Sequence, residues 1–295
     1  MLHRISEETD ILNISLSLPY LEKALQWCTD LGDIADMDNM LDAQAARLRF
    51  GFTFDDGYAN VGEILNLPRS APMTVYLATG FIDIKRRFWA TSIESLLLDA
   101  RVTALNLSDL GLGEFVLSDK VSRRHAITNL NCLLKRMPPN KIDEIMQSIY
   151  ERLDIESDDS NQFLSWAQVK ALRASGVTIG SHTHNHAITS MVSEAEFIDE
   201  IALSNQTIIS QLGEKPLHFA YPNGQKQDIA PFCEKVLVDA GYRSAVTTIE
   251  GDNRIGDNPF MLRRYNLSTE RMQTPWGTPS RAMFTTLLSN PLRMH

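Results

Sequence analysis

The sequence predicts an α/β fold organised around a parallel sheet, either open or closed into a barrel. Three observations support this. Short β-rich runs alternate with helix-length stretches along most of the chain. Glycine and capping residues punctuate the boundaries between them. The 295 residues also suffice for one large α/β domain or two small ones, with a substantial core.

The expected strands are 47–54, 72–79, 176–182, 216–222, 242–248 and 260–267, each rich in β-branched or aromatic residues and bounded by turn formers. Helical patterns occupy 19–30, 91–105, 122–136, 140–152, 165–175, 193–212 and 229–240. Ser193 with Glu196 forms a capping-box signature, and Gly213 and Gly241 stand just past two helix ends. Strand–helix alternation of this kind favours parallel pairing, because each return crosses over through a helix. The stretch 81–164 departs from the rhythm, being mostly helical and highly charged. It reads as an insertion within a single domain spanning 1–295, with 156–162 as a solvated linker.

Composition narrows the functional class. A net charge of −9 without a long Lys/Arg run argues against a dedicated nucleic-acid or anionic-membrane binder. Cys28, Cys132 and Cys233 are far apart and odd in number, so they signal neither a disulfide framework nor a thiolate zinc site. No apolar run approaches transmembrane length. Glu7, Glu8 and Asp10 interrupt any leader-like segment, and the expected compartment is the cytoplasm.

Three strand ends hold the chemistry. "FTFDDGY" (52–58) runs an apolar strand into Asp55 and Asp56, and Gly57 can turn both toward one mouth. One aspartate could bind a metal while the other acts as a base, or one could cap a helix and the other be solvated. "GSHTHNHAI" concentrates His182, His184 and His186. In a continued strand all three share a face. If the strand ends near His182, the H-x-x-x-H pair can converge from a turn. Two imidazoles with a carboxylate make a catalytic zinc set, and a metal-free histidine cluster is the alternative. "FAYPNG" (219–224) ends a strand in a turn whose backbone N–H groups could donate to an oxyanion.

Taken in order, "TFDDG" (53–57), "HTHNH" (182–186) and, in part, "AYPNG" (220–224) resemble the motifs of the polysaccharide deacetylase family, the fourth carbohydrate esterase family. The resemblance covers about residues 15–270. The middle segment is similar to a branch associated with exopolysaccharide and envelope-glycan biosynthesis. The family implies a distorted (β/α) barrel with fewer than eight parallel strands, here with the helical insertion after the second. It implies a divalent metal, most commonly Zn2+, on Asp56, His182 and His186, with Asp55 as general base. It further implies an oxyanion contact from the backbone N–H of Asn223 and removal of N-acetyl groups from an amino-sugar glycan or glycan precursor.

Two departures stand out. Ala220 occupies a position where the family often has an arginine, and Arg263 or Arg264 is the expected substitute. The late histidine that supplies a general acid is missing, which leaves His184 as the candidate. Trp89, Trp166 and Trp276 could stack on sugars, with core packing the simpler expectation. The rivals are an inactive glycan-binding protein on the same fold and a metal-free amide or ureide hydrolase.

Overall fold

Five short apolar runs, each closed by turn chemistry, assemble into one parallel sheet. They are β1 (Phe52–Phe54), β2 (Met73–Leu77), β3 (Thr178–Ser181), β4 (His218–Ala220) and β5 (Ser244–Val246). The spatial order is β5-β4-β3-β2-β1, the reverse of chain order read from the other edge. A sheet wound always in one direction puts every crossover on one face and curls toward a barrel. Nearly every strand residue is buried, as expected where both faces are covered. In this computed structural model, residues 1–7, 10–40, 47–67, 71–84, 88–99, 101–155 and 162–289 are described.

Two segments extend the curl. Leu2 bridges Phe54 and Leu262 bridges Val246, both in parallel sense. These flanks then meet: the Leu267 N–H donates to the Met1 carbonyl at 2.9 Å, and the Met1 nitrogen donates to the Tyr265 carbonyl at 2.8 Å. The result is a distorted α/β barrel with fewer than eight strands. The run 260–267, expected as a full strand, pairs in the sheet at Leu262. Thereafter its backbone turns to loops, with the Arg263 N–H on the Asn253 side chain and the Arg264 N–H on the Ile249 carbonyl. The expected strand 47–54 is two pieces: Arg49–Phe50 pairs with Asp33–Ile34, and β1 begins beyond Gly51.

The longer helices up to residue 240 are α1 (Leu18–Leu31), α2 (Trp89–Asp99), α3 (Lys120–Leu134), α4 (Pro139–Leu153), α5 (Trp166–Ala174), α6 (Glu194–Leu212) and α7 (Cys233–Asp239), and further helical segments lie at Met37–Met40, Thr269–Met272 and Arg281–Ser289. Ser193 and Glu196 form the expected capping box on α6, which ends at Gly213 in the left-handed conformation at φ 78°. Helix α7 begins four residues later than its sequence pattern, because the chain first makes a tight turn at Lys226–Asp228 and then meets Pro231. Packing of α6 and α7 on β4 and β5 buries Phe197, Phe219, Tyr221, Leu237 and Tyr242 in one hydrophobic cluster.

The chain divides into two compact units, Met1–Ile84 with Phe163–His295, and Lys85–Gln162. The first contains the barrel. The second holds α2, α3 and α4 with an antiparallel hairpin, Ala104–Asn106 against Glu114–Val116. The helix expected to reach residue 105 is described over Trp89–Asp99, and by Ala104 the chain is already in the hairpin. Gly111 and Gly113, at φ 77° and 81°, build the hairpin connection that the helical reading passed over. The linker 156–162 lies outside the described residues except at Gln162. Among the described residues, no helix is long and apolar enough to cross a membrane.

Gly180 in β3 tests the sheet packing. A Cβ there would lie 2.4 Å from Tyr76 Cδ1 and 2.8 Å from the His218 carbonyl oxygen. Gly180→Ala should cost about 2–3 kcal/mol in urea unfolding. Gly62→Ala, whose added methyl finds its nearest neighbour at 3.5 Å, should change stability by less than about 0.5 kcal/mol.

Candidate metal centre at the strand ends

The register places Asp55, His182 and Tyr221 just beyond the carboxyl ends of β1, β3 and β4, where parallel barrels gather their functional groups. Asp55 continues β1, its N–H donating to the Leu2 carbonyl at 3.0 Å. Its carboxylate receives both ends of the Arg264 guanidinium, Nη1 to Oδ1 and Nη2 to Oδ2, each at 2.7 Å. Arg264 also donates from Nε to the Thr247 carbonyl and from Nη1 to Thr53 Oγ1, and it lies 5.9 Å from the Tyr76 ring centroid. Of the two arginines proposed to replace the one absent at Ala220, the structure selects Arg264. Arg263, one residue earlier on an extended segment, faces away toward Gly251.

Adjacent strand residues normally face opposite ways, and the local backbone overcomes this. Asp56 and Gly57 take left-handed conformations at φ 71° and 85°, which swings the Asp56 carboxylate to the same mouth. Such a conformation costs a non-glycine residue about 1–3 kcal/mol, so it persists where surrounding contacts hold it. The histidine loop repeats the device, with Thr183 at φ 64° and His186 at φ 56°. Strand β3 ends at Ser181, and His182 follows with its N–H on the Leu77 carbonyl.

Asp56 Oδ1 lies 3.2 Å from His182 Nε2 and 3.3 Å from His186 Nε2. One ligand-capable atom from each of these residues falls within 4.8 Å of the others. His182 Nδ1 lies 2.7 Å from the Ala220 carbonyl, which can only accept, so Nδ1 carries a proton and Nε2 faces Asp56. One carboxylate oxygen and two imidazole nitrogens, with one imidazole oriented from behind, fit a divalent cation that takes mixed N/O ligands. His184 stands apart from this group. Its Nδ1 lies 2.9 Å from Thr79 Oγ1.

The charges are steeply tuned. Burial alone would raise Asp55, but the charge and hydrogen bonds of Arg264 outweigh it and hold the carboxyl below its usual range. Burial likewise opposes ionisation of Asp56, yet hydrogen bonds from His182 and His186 hold it well below the usual carboxylate value. His182 is pulled down by burial and, more strongly in sum, raised by Asp56, Asp55 and its carbonyl partner.

Two residues at this site escaped sequence reasoning. His3 lies in the segment paired beside β1, and its buried Nδ1 has no hydrogen-bond partner among the described residues. Burial lowers its pKa, while Asp56 and Asp55 raise it, which sets the ring among the site's charges. No motif surrounds "LHRI", and a lone histidine between Leu2 and Arg4 carries no signal of a site. Glu200, on α6, binds the histidine loop but reads in sequence as one more acidic helix residue.

Asn223 adopts φ 61° in the turn after β4, its carbonyl accepting from Thr248 Oγ1 and its side chain donating to Asp228. Trp166 is buried and Trp89 half-buried. Trp276 is 86% exposed on the turn Thr274–Thr278, against the expectation of core packing.

Residues 44–245 match the family model for polysaccharide deacetylase. No protein of curated function matches the sequence. Among solved structures, the fold is similar to IcaB from Ammonifex degensii, with TM-score 0.58 and 17% identity over 91% of this chain and 90% of that one. It is similar to the Streptococcus pyogenes deacetylase PplD in complex with acetate, with TM-score 0.57 and 17% identity over 92% of each chain. A polysaccharide deacetylase from Bacillus cereus superposes with TM-score 0.60 at 15% identity, over 97% of this chain and 67% of that one.

The tuning predicts a titration order in metal-free protein, readable by histidine NMR. His182 should titrate above its ordinary value of 6.5 and His3 below it. Because the His182 value is raised by folding, its contribution to stability is full below pH 6.5. That contribution fades as pH rises through the folded-state value, and thermal stability of metal-free protein should follow the same sign.

Proposed function

The chain belongs to the polysaccharide deacetylase family, and from that premise we propose that it is a metal-dependent hydrolase of N-acetyl groups on an amino-sugar glycan or glycan precursor. The observation that supports this best is the Asp55 carboxylate, clamped by Arg264 next to the Asp56–His182–His186 group. Asp56, His182 and His186 would hold the divalent cation, with zinc favoured by a set of two imidazoles and one carboxylate. When bound, such a cation supplies Lewis acidity toward the acetyl carbonyl and toward water.

The protein's own groups do the rest. Asp55, kept ionised by Arg264, accepts a proton from the water that attacks the acetyl carbon. The fork of Arg264 fixes the carboxylate plane and leaves its outer lone pairs for that proton. The Asn223 N–H, on the turn beside Ala220, donates to the oxyanion. Cleavage of the C–N bond leaves acetate and a sugar amine, and the departing nitrogen must take up a proton. We assign that delivery to His3 in preference to His184, because the His184 Nδ1 is engaged by Thr79 while the buried His3 Nδ1 has no partner among the described residues.

Chelation should abolish acetate release from N-acetylated oligosaccharides, and added zinc should restore it. Asp55→Asn should retain the cation and lower turnover by about two to four orders of magnitude. Loss of the cation in that variant would refute the division of labour between the two aspartates. Chelator-insensitive hydrolysis by metal-free protein would point to an amide or ureide hydrolase instead. Metal without acetate release from a broad substrate panel would favour a glycan-binding protein.

A further inference from the structure

Between the two histidines that face Asp56, the backbone of residues 183–185 is gripped from both sides. On one side the Thr79 and Gly80 N–H groups donate to the carbonyls of Thr183 and His184, at 3.3 and 2.7 Å. On the other, a single side chain collects the outward amides. Glu200 Oε2 accepts from the His184 N–H at 2.8 Å and the Asn185 N–H at 2.7 Å, and Oε1 accepts from Asn185 Nδ2 at 2.8 Å. One turn further along the same face of α6, Ser204 Oγ lies 2.8 Å from Ser181 Oγ, the residue that precedes His182. Helix α6 therefore grips the chain just before His182 and again between the two histidines.

We propose that Glu200 is a positioning residue that sets the spacing of His182 and His186 and thereby the affinity and geometry of the cation site. The inference rests on the metal-centre reading above. The loop needs such a clamp because Thr183 and His186 are both left-handed and neither is glycine. A carboxylate suits the task, since two amides converge on one oxygen and bonds to an ionised acceptor are stronger than neutral ones. Among the described residues, the hydrogen bonds of Glu200 go to the His184 and Asn185 amides and the Asn185 side chain, and none goes to Asp56 or an imidazole. It acts through the backbone.

Cobalt(II) titration separates the possibilities without any turnover assay, because its visible absorption reports both affinity and coordination geometry. Glu200→Ala should weaken cobalt binding roughly ten- to a hundredfold and alter the absorption envelope. It should also speed amide hydrogen exchange at His184 and Asn185. Glu200→Gln keeps an acceptor oxygen for the two amides and should recover most of the affinity and the wild-type spectrum. Asn185→Ala removes one of the three hydrogen bonds and should weaken binding less than Glu200→Ala, which provides a graded readout if the latter folds poorly. Wild-type cobalt affinity and spectrum in Glu200→Ala would overturn the inference while leaving the metal site standing. Failure of the wild-type chain to bind cobalt would overturn the metal-centre reading itself.

Discussion

The buried ion pair between Arg264 and Asp55 is the interaction on which the remainder of this site depends. Two charged groups removed from water are costly unless each is matched, and here the match is complete in geometry. The guanidinium spends two donors on Asp55 and others on the Thr247 carbonyl and Thr53 hydroxyl, with an aromatic ring nearby. Removing one partner of such a pair typically costs about 3–5 kcal/mol, because the other charge stays buried alone. Arg264 belongs to the segment after β5 and Asp55 to the end of β1, at opposite edges of the sheet. One ion pair thus ties the curl of the barrel to the placement of Asp55.

The same strand-end region reconciles two demands that ordinary β geometry sets against each other. Asp55 and Asp56 must serve one mouth although neighbouring strand residues diverge, and left-handed Asp56 and Gly57 make that possible. His182 and His186 must converge although the strand has ended, and left-handed Thr183 and His186 bring them round. The strain falls on three non-glycine positions, Asp56, Thr183 and His186, and is held by backbone contacts from β2, by Thr79–Gly80 and by α6. A rigid scaffold with locally strained tips is the expected arrangement where side chains must be aimed rather than merely packed.

How far this was legible depended on how local each signal was. Asp55, Asp56, His182 and His186 lie in short contiguous runs of unusual composition at strand ends, so the runs stood out by themselves, and the family resemblance picked these four residues from them. The alternation of strands and helices was equally plain, since periodicity is a local property. Arg264 could be narrowed to a pair with Arg263, because sequence shows that an arginine is near but not which way an extended backbone turns it. His3 and Glu200 gave no sign. Each reaches the site by a contact distant in sequence, and each looks ordinary among its own neighbours. The hairpin at 104–116 was hidden because its turn glycines lie in a stretch whose average character is helical.

The central claim is that Arg264 both closes the barrel and keeps Asp55 ionised and aimed for proton transfer. The most direct test is the pH profile of kcat/KM for acetate release by Arg264→Lys, with metal content measured in parallel. Lysine keeps a positive charge but not the two-pronged contact, so the variant should retain its metal and lose on the order of a hundredfold or more in kcat/KM. Its acidic limb should move to higher pH, because Asp55 would no longer be held as far below its usual range. Wild-type kcat/KM with an unmoved acidic limb would contradict the account.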